Sequence, residues 1–89
     1  MKERKEIMKV KEKKDFPTGD IWIASFLLAE GFNLKKTTKQ DHNLIFVFQD
    51  NGKISDKVSA FINDQIAVSP KSFISAYRDL KSLIYSNRK

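Results

Sequence analysis

Five apolar residues in succession, Leu44-Ile45-Phe46-Val47-Phe48, lie between two turn-forming stretches, Asp41-His42-Asn43 and Asn51-Gly52. Successive side chains of a strand point to opposite faces, so Leu44, Phe46 and Phe48 form one apolar row and Ile45 and Val47 a second. A strand that is apolar on both faces is expected at the centre of a sheet. Just upstream, Leu34-Lys35-Lys36-Thr37-Thr38-Lys39 is able to extend but polar on both faces, and the Asp41–Asn43 turn joins the two runs as a β-hairpin. Lys35, Lys36 and Lys39 suit an outer strand, where charge discourages pairing with another chain; phosphate contact is the second reading of the same residues.

The rest of the patterned chain is helical. Thr18-Gly19-Asp20 offers oxygen acceptors to the free N–H groups of a helix start, and the following Ile21 to Glu30 is apolar nearly all round, which marks a mostly buried helix. Gly31 fits the left-handed position after its last turn, with Phe32 folding back on Phe26 or Leu27. Ile54, Val58, Phe61 and Ile62 recur at the spacing of an amphipathic helix that stops at Asn63-Asp64. Ile66-Ala67-Val68 is extended and is a candidate for a short third strand. Ser69 then caps and Pro70 opens a final helix that runs into the C-terminal tail. The expected architecture is α+β: three helices and a small antiparallel sheet in the order α-β-β-α-(β)-α.

On a helical wheel, Phe73, Ala76, Tyr77, Leu80, Leu83 and Ile84 of the last helix fall within one arc of about 120°, wide enough to face a core. Lys71, Ile74, Arg78, Lys81, Tyr85 and Arg88 gather on another. That second face is the main functional candidate. Ile74 and Tyr85 are the candidate self-association surface, and Lys71, Arg78, Lys81 and Arg88 are the candidate phosphate contacts. A solvated face, with Lys and Arg favoured near a helix C-terminus, accounts for the bases without any ligand and is preferred. Trp22, in the first turn of the first helix, is assigned to the core ahead of an interface.

Charge placement limits what the net +6 implies. Residues 1–14 hold seven Lys/Arg against three Glu, and Arg88 and Lys89 end the chain, so 15–87 carries eight bases and eight acids. The patterned part is neutral, and its attraction for a polyanion is weaker than the chain's pI suggests. Residues 1–14 contain only Ile7, Met8 and Val10 among their charges and are expected to form a disordered basic leader. The expected domain is 15–89, a single unit near the lower size limit for independent stability. The longest apolar stretch, Ile21 to Ala29, is too short to span a bilayer, and there is no cysteine for a disulfide framework; a cytoplasmic location is the default.

The stretch Thr18-Gly19-Asp20-Ile21-Trp22-Ile23-Ala24-Ser25-Phe26-Leu27-Leu28-Ala29-Glu30-Gly31-Phe32 and the ending Tyr77-Arg78-Asp79-Leu80-Lys81-Ser82-Leu83-Ile84-Tyr85 carry a resemblance. Together with Phe46-Val47-Phe48 they are similar to a family of short uncharacterised bacterial and phage-associated proteins. Its members share a T-x-D-x-x-[LI]-A-x-F-L-L-A-x-G-F opening, a middle F-x-F strand and a Y-R-x-L-K-S-L-I-Y close. The resemblance spans Phe16 to Tyr85, implies domain limits, and transfers no catalytic or binding role to any residue.

Little here supports chemistry. His42 is the single histidine, beside Asp41 in a turn, with no G-x-S-x-G and no cysteine nucleophile, so the pair reads as turn residues. The carboxylates fit neither H-E-x-x-H nor an EF-hand, and Gly19, Gly31 and Gly52 cannot build a phosphate-binding loop. The expectation is a protein that is not an enzyme, takes no cofactor, metal or small-molecule ligand, and does not engage a membrane. The leading function is a small interaction module that self-associates as a homodimer through the last helix. The alternative is an accessory nucleic-acid binder of phage or mobile-element type that uses the basic face of that helix.

Overall fold

The computed structural model describes residues 14–87; the leader, apart from Lys14, lies outside them, as do Arg88 and Lys89. The elements run β1 (Lys14–Thr18), α1 (Ile21–Ala29), β2 (Leu34–Gln40), β3 (Asn43–Asp50), α2 (Ile54–Ile62) and α3 (Pro70–Asn87). The fold is α+β, with three helices and a three-stranded antiparallel sheet. Strand order is β1-β3-β2, so the strand that is apolar on both faces is indeed central.

The third strand comes from a different place than expected. It is β1, not residues 66–68, that pairs with the free side of β3, in the register Phe16↔Phe48 and Pro17↔Val47. Once β1 fills that edge, residues 66–68 remain a connector in which Ile66 and Val68 pack against the core. Lys14, placed in the leader on its charge, opens this strand, giving the order β-α-β-β-α-α. Pro17 is tolerated because β1 is an outer strand, where one side of the backbone needs no ladder partner. On the other edge, β2 pairs with β3 with an irregularity between Leu34 and Lys36.

Local chemistry sets the element ends. The N–H groups of Trp22 and Ile23 donate to Asp20 Oδ1 at 2.8 and 3.3 Å, so Asp20 caps α1 as its side chain suggests. At the other end Gly31 takes φ 95°, its N–H donates to Leu28 O, and that of Phe32 donates to Leu27 O, a Schellman stop. The same pattern ends α2 without a glycine: Asp64 takes φ 58° while the Asp64 and Gln65 N–H groups bond to Phe61 O and Ala60 O. Ser69 Oγ accepts from the Ser72 N–H at 3.3 Å and starts α3.

Phe46 and Phe48 carry the inner face of the sheet into a core with Ala24, Phe26 and Leu27 of α1, Ile54 of α2 and Leu80 of α3. The predicted arc of α3 faces this core, with Ala76 and Leu80 buried and Phe73, Leu83 and Ile84 packed at its margin. In α2 the stripe is narrower than expected, because Ile62 is 63% exposed. On the opposite face of the sheet, Ile45 and Val47 share a shallow hollow with Pro17, Lys36 and Thr38. Val47 is only 7% exposed there. Lys35 Nζ lies 2.7 Å from Asp15 Oδ1, an ion pair that reaches from one outer strand to the other across β3.

Among the described residues, one buried side-chain polar atom lacks a partner. Ser25 is fully buried and its Oγ makes no hydrogen bond. A hydroxyl taken out of water without compensation destabilises the fold, and alanine is also the better helix former. Ser25→Ala is therefore expected to raise stability by about 1 kcal/mol, read as a higher denaturant midpoint at unchanged slope. A loss of stability would mean that the hydroxyl has a partner in solution.

Candidate functional site

Four large apolar side chains are exposed among the described residues: Trp22, Ile62, Ile74 and Tyr85. All but Ile62 belong to α3 or to the ring that packs on it. The helix repeat explains the grouping, since residues four apart lie on one face and Phe73, Tyr77, Lys81 and Tyr85 form such a row. Trp22 of α1 joins this row from the side. Its indole lies nearly parallel to Tyr77, with centroids 5.0 Å apart, and to Phe73 at 6.1 Å.

Lys81 sits within the row, its Nζ 5.5 Å from the ring centroids of both Tyr77 and Tyr85. At that distance the ring faces attract a cation. The Tyr77 phenol and then the Tyr85 phenol, both close to the ammonium group, raise the Lys81 pKa above its ordinary value. Lys81 therefore keeps its charge throughout the neutral range. The surface so formed is a strip of rings with a cation held between two of them.

The predicted site residues divide as follows. Ile74 and Tyr85 are both exposed, at 49% and 58%, and Lys71 and Arg78 are exposed as well. Arg88 lies outside the described residues. Along α3 the order Ile74, Arg78, Lys81, Tyr85 places the two bases between the two apolar residues. Trp22 departs from its core assignment, being 52% exposed. No residue pattern within α1 gives its exposed side, because its apolar residues surround the helix. Tyr77 was assigned to the core arc and is half-buried, yet it is the ring that links Trp22 to Lys81.

The strip is also tied to the core. Phe26 stacks on Phe61 at 4.4 Å, and Phe61 lies 6.3 Å from Phe73, which in turn meets Trp22. Rings backed in this way lose little freedom on meeting a partner. Elsewhere, His42, Lys39 and Asn43 rim an open groove of about 330 Å³ floored in part by Leu44, Phe46 and Ile84. No group of three or more His, Cys, Asp or Glu side chains fit to hold a metal ion is found among the described residues. Nor is any described helix long and apolar enough to cross a membrane.

Fold and site together define a small α+β domain that presents an aromatic and cationic helix face. By its sequence the chain belongs to the family described as Domain of unknown function (DUF5659), whose match covers residues 13–86. Comparison with curated proteins gives no significant match, and comparison with solved structures gives none either.

Proposed function

We propose that the domain is a small non-enzymatic interaction module whose partner is a phosphate polymer, met by the α3 strip. The observation that carries this reading is Lys81, held between Tyr77 and Tyr85 and one turn from the exposed Arg78. A twofold dimer through the same strip suits it less well. Pairing α3 antiparallel with itself about a point between Arg78 and Lys81 sets Ile74 against Tyr85, which is favourable, but it also sets every Arg78 against a Lys81. Like charges then meet at the centre of a small interface. A polyanion meets the same four side chains without that conflict.

Self-association remains the second reading, because Ile74 and Tyr85 are large and open. One experiment separates the two. The full chain is expected to have monomer mass and to bind nucleic acid in a salt-sensitive way. Arg78→Gln/Lys81→Gln is expected to lower the log–log salt slope by about 1.4 to 1.8, the figure for two phosphates on single or double strands. A salt-resistant dimer that Ile74→Ser/Tyr85→Ser alone abolishes would replace this function with self-association.

A further inference from the structure

We infer that the strand recognised is single-stranded nucleic acid, with unpaired bases stacking on Trp22 and Tyr85 and the backbone phosphates between them meeting Arg78 and Lys81. This rests on the phosphate-polymer reading above and adds which form of polymer fits. Two observations carry it: the weakness of the charge and the exposure of the rings.

Residues 15–87 balance eight bases with eight acids. Duplex binding without base contacts depends on cations meeting phosphates, and a neutral domain with Lys71, Arg78 and Lys81 along one helix gives few such contacts. Something besides charge has to add affinity. Trp22 is 52% exposed and Tyr85 58%, and both stand in the strip that holds Lys81. An exposed ring facing a duplex gains little, since the bases are already stacked on one another and turn their edges outward. The same ring facing a single strand gains a base, whichever base it is, because every base has a π face.

The spacing agrees. Tyr77, on which Trp22 stacks, and Tyr85 are two turns and a fraction apart on α3, about 12 Å at the helical rise, which is the length of roughly three to four stacked nucleotides. Lys81 lies between these rings, and its charge persists at neutral pH. Arg78, a planar guanidinium, can meet phosphate or lie on a base. The strip thus offers two ring platforms roughly three to four nucleotides apart, with Arg78 and Lys81 between them for the intervening phosphates.

The test uses the full chain and three probes: a labelled single strand of mixed sequence as DNA and as RNA, the duplex of the same sequence, and inorganic polyphosphate. Binding is followed by anisotropy for parent, Trp22→Leu, Tyr85→Leu and Arg78→Gln/Lys81→Gln. The expected result is tighter binding of single strands than of duplex or polyphosphate. Trp22→Leu and Tyr85→Leu should each weaken the single strand roughly ten- to a hundredfold, the range for loss of one stacked base, and leave the duplex unchanged. Tyr85→Leu guards against a folding effect at Trp22, because Tyr85 is more than half exposed near the end of α3 and lies outside the buried core cluster. Equal binding of all three probes, weakened only by the charge variant, would overturn this inference and leave the phosphate-polymer reading standing. Failure to bind any probe would overturn both.

Discussion

Phe46→Ala is expected to cost the domain about 3 to 5 kcal/mol, and Leu80→Ala about 2 to 5 kcal/mol. Both side chains are essentially fully buried in one cluster, one from the central strand and one from the long helix. Each truncation leaves a cavity lined by side chains from elements that cannot all move in to fill it. Since small domains are stable by about 5 to 15 kcal/mol in all, either change removes a large share of the total. Denaturant titration measures it. A variant within about 0.5 kcal/mol of the parent would place that side chain at the surface and overturn the face assigned to its element.

Removal of residues 1–18 is expected to be at least as damaging, while removal of 1–13 is expected to leave the melt nearly unchanged. The two truncations differ by β1 alone. Without it Phe48 loses Phe16, Val47 loses Pro17, and the whole free side of β3 is left with unpaired backbone groups. A loss of about 3 kcal/mol corresponds to roughly 12 to 24 °C in a domain of this size. Thermal melts of the two products give the answer. Equal melting temperatures would mean that β1 adds nothing, and a large drop on removing 1–13 would mean that the leader packs.

What the sequence makes legible follows from how local the cause is. Asp20, Gly31, Ser69 and Pro70 act within one turn of themselves, and the starts and stops they imply are the ones observed. The two apolar faces of residues 44–48 place β3 centrally for an equally direct reason. β1 is hidden because four of its five residues are Lys, Asp, Pro and Thr, and only Phe16 reaches the core. Its strand state is set by pairing with β3, whose Phe48 lies far along the chain from Phe16, and no local pattern records that. The α3 face was legible through Ile74, Arg78, Lys81 and Tyr85, because a helix wheel needs only one helix. Trp22 and Tyr77 were not, since their meeting depends on how α1 crosses α3.

Trp22 is also the sole tryptophan of the chain, and this has a spectroscopic consequence. The emission of a single indole reports on the seam between α1 and α3 and on nothing else. That indole is already half open in the folded state, so unfolding changes its stacking with Tyr77 and Phe73 more than its contact with water. Backbone circular dichroism, in contrast, follows the sheet and all three helices at once. A melt observed at both signals therefore asks whether the seam opens with the sheet or ahead of it: coincident curves indicate one cooperative unit, and an earlier indole transition marks the strip as the least stable part of the fold.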